Sequence, residues 1–242
     1  MSSKIPLPPK DLQSTSGPFV ESEYISHGIK QANSLIKHNI IRSNYNVLDV
    51  GCGNGRVARH LVDLIDQTSG TYRGIDISSE NIDWAKENIS SVAAHFSFKA
   101  IEPGGKFPYA DNSFDSSFAR SLYTHLDDET TRFYLTETAR VTKPGSYSWA
   151  TFFSIERETD LLAMPVDKHK VLRKVEKEKE GFFTFYRPEI NRRLSVFTYD
   201  WLVTEIENAG FEIINSPLSQ WFSGSTPSHP SDAQVPWIFR KK

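Results

Sequence analysis

The chain has 242 residues, 38% of them hydrophobic and 24% charged, with a formal net charge of −2. That length suits one α/β domain with modest additions, and the balanced charge gives no expectation of a nucleic-acid or anionic-membrane partner. No apolar run approaches the roughly 20 residues that cross a bilayer, the first 20 residues carry no secretory apolar core, and the lone Cys52 rules out an internal disulfide, so a reducing, cytoplasmic compartment is expected.

Residues 1–26 read as an N-terminal arm, punctuated by Pro6, Pro8, Pro9 and Pro18, flexible or loosely docked. The main domain is expected over 27–242. Its first helix runs from about His27 to Ile41, where Ile29, Ala32, Leu35, Ile36 and Ile40 recur at helical spacing. Tyr45–Val50 is short, apolar and followed by glycines, as a buried parallel strand is. Arg56–Ile65 reads as a helix with Val57, Leu61, Leu64 and Ile65 inward. Thr71–Ile77 is the second strand, and Ser78 or Ser79 caps a helix bearing Ile82, Trp84, Ala85 and Ile89, with Glu80 in its first turn. His95–Ile101 and Ser113–Ser121 are the third and fourth strands. Asp127 opens a helix that Lys143-Pro-Gly145 stops, and Tyr147–Phe153 is the fifth strand. Strands alternating with helices specify an α/β fold with a mainly parallel sheet and helices on both faces.

Residues 155–198 break this rhythm. A mixed-charge stretch from Lys168 to Glu180 precedes Phe182, Phe183, Phe185 and Tyr186. The plain expectation is a solvated helix and a loop docked through its aromatics; the functional one is a lid or substrate-recognition insert. Tyr199–Ala209 is a helix ended by Gly210. Phe211–Ile214 and Val235–Phe239 form a closing strand pair at one sheet edge.

The glycine cluster Asp49-Val-Gly-Cys-Gly-Asn-Gly55 lies between a predicted strand and a predicted helix. Glycines there let the backbone turn sharply and approach a ligand closely, and N–H groups at a helix start favour a carboxylate or phosphate. A dinucleotide fingerprint needs G-x-G-x-x-G/A, whereas here the glycines alternate and Arg56 stands where the small residue belongs. Asp49, ahead of the first glycine, would repel a pyrophosphate and welcome an ammonium and a sulfonium, both of which S-adenosylmethionine (SAM) carries. Asp76, at the end of the second strand, can accept both hydroxyl hydrogens of a ribose or cap the helix that follows.

These residues, in VLDVGCGNGR, YRGIDISSENIDWAKENI, FPYADNSFDSSFARSLYTHL and VTKPGSYSWATFF, give a chain that resembles the class I SAM-dependent methyltransferases of the small-molecule, type 11 kind over roughly residues 40–153. Ser146 departs from the second glycine of that family's strand-five turn. The resemblance implies a Rossmann-like, seven-stranded, mostly parallel sheet with a C-terminal antiparallel edge strand. It implies that Gly51, Cys52 and Gly53 lie against the methionine portion of SAM, Asp49 near its amino group, Asp76 at the ribose and Ile77 on the adenine. Ile101 and Glu102 stand where the family meets the adenine amine, and Ala119-Arg120-Ser121 would pass beneath the donor.

Methyl transfer needs mainly alignment and exclusion of water, with a general base only for an acceptor that must lose a proton. His125 is the base candidate, since imidazole titrates near pH 6.5, and the alternative is a packing role at the next helix start. Tyr123 is the second catalytic candidate, and Tyr123 or Arg120 could bind an acceptor carboxylate or hydroxyl. Cys52 at a helix start is a candidate low-pKa thiol but lacks a base partner in sequence, and the seven histidines show no metal-ligand spacing. The expected activity is methyl transfer from SAM to a small-molecule acceptor. The competing readings are an NAD(P)-dependent oxidoreductase and a SAM-binding protein of the same fold without turnover. Composition does not choose between monomer and homodimer.

Overall fold

The computed structural model describes residues 5–15, 20–156, 175–187, 192–218 and 234–242. These residues fall into two units, one of Met1–Ala119 with Arg140–Ser148 and the other of Arg120–Ala139 with Trp149–Lys242. The main sheet has seven strands: β1 Asn46–Val50, β2 Thr71–Asp76, β3 Phe96–Ala100, β4 Phe114–Ala119, β5 Thr142–Phe152, β10 Phe211–Asn215 and β11 Val235–Lys241. Their order is β10-β11-β5-β4-β1-β2-β3. β1 pairs in parallel with β2 and β4, and β2 with β3, while β10 and β11 are antiparallel. The expected mostly parallel sheet, closed by an antiparallel pair at one edge, is present.

In the first unit β1 buries Val47, Leu48 and Val50, as a strand with covered faces must. Tyr72 of β2 stacks on Phe96 at 4.7 Å and tilts against Phe98 and Phe118 at 5.7 and 6.4 Å. The helix α1, Lys10–Thr15, and the longer α2, Glu21–Lys37, precede the sheet. The helix expected over 27–41 therefore starts and ends earlier. Glu23 accepts from the Val20 N–H at 3.3 Å, and Asn39 adopts φ 56° just past the helix end, a left-handed stop. Ile40 is buried outside the helix, and Ile29 and Ile36 are exposed.

The expected loosely docked arm is tied down over its described part. Ile5 and Leu12 are buried. Arg59 Nη2 donates to the Ile5 carbonyl at 2.6 Å and Asn54 Nδ2 to the Leu12 carbonyl at 2.7 Å. Tyr24 Oη donates to Asn54 Oδ1 at 2.6 Å.

Arg56–Ile65 is not the continuous helix that its spacing predicts. Only Ala58–His60 forms a 3₁₀ turn, and the backbone bonds switch between i→i−4 (Arg59 to Gly55, Ile65 to Leu61) and i→i−3 (His60 to Val57, Leu61 to Ala58). Val57, Leu61 and Ile65 are buried as expected, with Val62 in place of Leu64. After β2, α3 spans Ser79–Ala85 and continues as a π turn to Ser90, and the Ser78 hydroxyl accepts from the Asn81 N–H at 3.3 Å. The helix α4, Asp128–Val141, leads directly into β5, with Gly145 at φ 78° inside that strand.

The second unit also holds a four-stranded sheet of β6 Ser154–Ile155, β7 Val175–Lys179, β8 Phe182–Arg187 and β9 Arg192–Thr198, in the order β6-β9-β8-β7. Thus Val175–Lys179 is a strand, not the end of a solvated helix. Charge sign alternates at each residue from Glu176 to Glu180, and period two sends Glu176 and Glu178 to one face. Both pair with Arg193, each at 3.2 Å. Residues 157–174, which carry the rest of the expected helix, lie outside the described residues. The helix α5, Tyr199–Asn208, is capped by Thr198. Arg132 of α4 joins Asp128 at 2.7 Å and Glu205 at 3.0 Å and lies 5.1 Å over the Trp201 ring.

Asn54→Ala should reduce unfolding free energy by about 1–3 kcal/mol, because the Tyr24 hydroxyl and the Leu12 carbonyl lose a buried partner. Guanidinium melts of variant and wild type measure it; an unchanged midpoint would remove the polar tie from the account of how the N-terminal segment is held.

Candidate functional site

The loop after β1 turns on three glycines with positive φ: Gly51 at 77°, Gly53 at 53° and Gly55 at 78°. A side chain is strained at each, and at Gly55 a Cβ would also lie 2.4 Å from Ile89 Cδ1. The loop is bonded to the end of β2. Gly51 and Cys52 donate their N–H groups to the Ile75 carbonyl at 2.8 and 3.0 Å, and Gly53 donates to Asp76 Oδ2 at 2.8 Å. Asp76 Oδ1 accepts from the Ser78 N–H at 2.9 Å. Asp76 thus combines a helix-start role with one that its position in sequence does not reveal, that of holding the glycine loop. Each of its oxygens keeps a further lone pair.

Ile77, next in the chain, is 58% exposed, an apolar side chain open to a flat apolar ligand. Ile101 donates its N–H to the Asp76 carbonyl at 3.0 Å, so it stands beside the same strand end. Glu102 is exposed and begins the turn closed by the Gly105 N–H at 2.8 Å.

Asp49 is buried, and Tyr72 Oη donates to its Oδ2. Burial pushes the Asp49 carboxyl up to about 8, against the lowering effect of the Tyr72 hydrogen bond. Tyr72 is the site-region residue that sequence reading missed. Its strand, Thr71-Tyr-Arg-Gly-Ile-Asp76, mixes polar and apolar residues, so no local pattern singles Tyr72 out. Cys52 is buried, and burial pushes its thiol well up, with Asp49 and Asp76 adding to the shift. A low-pKa nucleophile is therefore not present there. Arg56, at the position where a dinucleotide loop keeps a small residue, is buried.

The remaining candidates belong to the second unit. Arg120 Nη1 donates to Ser121 Oγ at 2.5 Å, Gln234 Oε1 at 2.5 Å and Thr151 Oγ1 at 3.3 Å. Ser121 has φ 57°, and its N–H donates to Thr151 Oγ1 at 2.9 Å. Tyr123 is 1% exposed and stacks on Phe152 at 4.9 Å. Burial raises its hydroxyl well above the ordinary range, against a Thr138 hydrogen bond. His125 is exposed at the end of the 3₁₀ turn Tyr123–His125. Thr151 and Gln234 escaped the sequence reading altogether. Among the described residues no cluster of His, Cys, Asp and Glu could hold a metal ion, and no helix is long and apolar enough to cross a membrane.

Residues 47–145 match the family model described as a methyltransferase domain. The chain is 35% identical over 105 residues to O-methyltransferase rstn1 of Aspergillus nomiae, covering 41% of this chain and 43% of that protein. It spans less than half the length of the first curated relatives it matches. Among solved structures, the PH0226 protein of Pyrococcus horikoshii superposes with a TM-score of 0.68 at 20% identity, over 95% of this chain and 96% of that one. The 1,6-didemethyltoxoflavin-N1-methyltransferase of Burkholderia thailandensis, with S-adenosylhomocysteine (SAH) bound, gives 0.59 at 15% identity over 98% and 92%. Residues 47–145 thus match a methyltransferase domain, and the sheet order and strand directions are those of the class I methyltransferase fold.

Proposed function

We propose that this protein binds SAM at the Asp49–Gly55 loop and transfers its methyl group to a small-molecule acceptor. The observation that carries the reading is Asp76: one carboxylate fixes the glycine loop through Gly53 and the following turn through Ser78, with exposed Ile77 beside it. The residues present fit the donor. Gly51, Cys52 and Gly53 offer a backbone without side-chain bulk at both glycines for the methionine portion. Asp76 has lone pairs left for ribose hydroxyls, and Ile77 offers an apolar face for adenine, with Ile101 and Glu102 at the neighbouring strand end. Asp49 is a buried acid that an ammonium would convert to its carboxylate. The names of the relatives, O-methyltransferases and an N-methyltransferase, support a small-molecule acceptor.

SAM supplies a methyl group already activated by its sulfonium. What the chain must do is bind the donor, align the acceptor and exclude water. Where the acceptor loses a proton, exposed His125 suits a base better than buried Tyr123. The four-stranded sheet of the second unit, within 154–198, is assigned to acceptor recognition because it interrupts the strand–helix alternation. A single buried thiol fits a reducing, cytoplasmic setting.

Asp76→Ala should weaken SAH binding by about tenfold, roughly 1.4 kcal/mol. Calorimetric titration of a variant with wild-type circular dichroism tests it, and unchanged affinity would defeat the ribose assignment.

Asp49 gives a pH signature. Its folded pKa lies near 8, above the ordinary 3.8, so its contribution to stability is full below about pH 4 and lost as pH rises through 8. A bound ammonium favours the carboxylate, so donor binding releases this proton. SAH affinity should therefore climb from pH 6 to about pH 8, and Asp49→Asn should flatten that climb. Titrations at four pH values in both proteins decide it; parallel profiles would take Asp49 out of donor binding.

A further inference from the structure

We propose that Arg120, Ser121 and Thr151 form a subsite for a carboxylate carried by the acceptor, and that Gln234 holds the subsite as a neutral stand-in. This rests on the methyltransferase reading, because it assigns the ligand to the acceptor half of the reaction.

The observation is a mismatch between donors and acceptor. Three donors converge on one oxygen, Gln234 Oε1: Arg120 Nη1 at 2.5 Å, Thr151 Oγ1 at 2.8 Å and Ser121 Oγ at 3.0 Å. A neutral amide oxygen has two lone pairs and no formal charge. A carboxylate has two oxygens with about four lone-pair sites and a full negative charge, and hydrogen bonds to it from a guanidinium are about twice as strong as neutral ones. The donor set suits the anion better than the amide it holds.

The set is also built rather than accidental. Thr151 is 2% exposed and uses its hydroxyl both ways, accepting the Ser121 N–H at 2.9 Å and donating to Gln234. Ser121 holds φ 57° in this geometry, a conformation that a side-chain-bearing residue rarely adopts. Thr124 Oγ1 donates to the Ser121 carbonyl at 3.3 Å, which holds that turn. Backbone outliers that surrounding bonds enforce gather at ligand sites. Gln234 is half-buried and directly precedes β11, so a change in its side chain can vacate the subsite without moving the strand. A carboxylate could also come from the methionine end of the donor. That end is assigned to Asp49–Gly53 in the first unit, and the experiment separates the two sources.

The test titrates the full chain, saturated with SAH, with benzoate and with uncharged benzamide, read by calorimetry. Benzoate should bind and benzamide should bind about tenfold more weakly or not at all. Gln234→Ala removes the stand-in and should tighten benzoate about threefold, by removing an internal competitor. Gln234→Glu places a fixed carboxylate among the donors and should weaken benzoate about tenfold. Arg120→Gln, which keeps hydrogen bonding and loses the charge, should weaken it equally and serves if Gln234→Glu does not fold. Equal benzoate affinity in the folded variants, or equal binding of benzamide, overturns the proposal. So does competition between SAH and benzoate with weakened SAH binding in Gln234→Glu, which would give the subsite to the donor. Failure of the wild type to bind SAH would defeat the methyltransferase reading, and the benzoate arms on the ligand-free chain still judge the anion subsite.

Discussion

The backbone N–H groups of Gly53 and Ser78 both point at the carboxylate of Asp76, at 2.8 and 2.9 Å. A loop of glycines in left-handed conformations has no intrinsic reason to hold one shape, because each residue lacks the side chain that would limit it. Here the shape is imposed by β2. The Ile75 carbonyl takes the N–H groups of Gly51 and Cys52, and the next residue takes that of Gly53. The parallel register that sets Asp49 beside Gly74 and Val50 beside Ile75 brings these acceptors to the loop. The same closeness forbids a side chain at Gly74, whose Cβ would come within 2.7 Å of Cys52 Sγ. Strand pairing, loop shape and the position of the exposed Ile77 thus follow from one strand end.

Burial changes what Asp49 means. Read in sequence, it is a negative charge that repels a pyrophosphate. In the folded chain it is a buried acid beside the Tyr72 hydroxyl, protonated at neutral pH because desolvation outweighs that hydrogen bond. In the proposed donor site its preference for a cationic ligand would act through a proton it can give up, not through a standing charge. The packing argument against a dinucleotide is independent of charge. Buried Arg56 occupies the place where close helix–strand packing requires a small residue.

What was legible in the sequence was whatever depends on neighbours in the chain. The strands around Asn46–Val50 and Thr71–Asp76, the Ser78 cap and the glycine loop are local patterns with local causes. The segment after Gly55 departs from its helical apolar spacing because apolar spacing is not the only constraint on it. Asn54 just ahead of it and Arg59 within it are committed to backbone carbonyls of residues 12 and 5, and the backbone bonds mix two helical types. Val175–Lys179 differs for the opposite reason: its period-two charge pattern marks a strand, although mixed charge alone is equally that of a solvated helix. Exposed strands can announce themselves by charge alternation as clearly as half-buried ones do by apolar alternation.

The second unit's polar cluster marks where local reading ends. Arg120 and Gln234 stand 114 positions apart, and Thr151 lies 31 from the first and 83 from the second. No spacing rule connects them, and a glutamine ahead of a strand carries no chemical signature of its own. Only the pleat of β5, which turns Thr151 toward the Ser121 N–H, and the entry of β11 after Gln234 make a single group of them. The glycine loop is compact in sequence because one crossover connection builds it. The proposed acceptor subsite draws on residues that three separate segments contribute. That asymmetry is a physical reason for the donor half of such a site to be readable from a chain while the acceptor half waits for the fold.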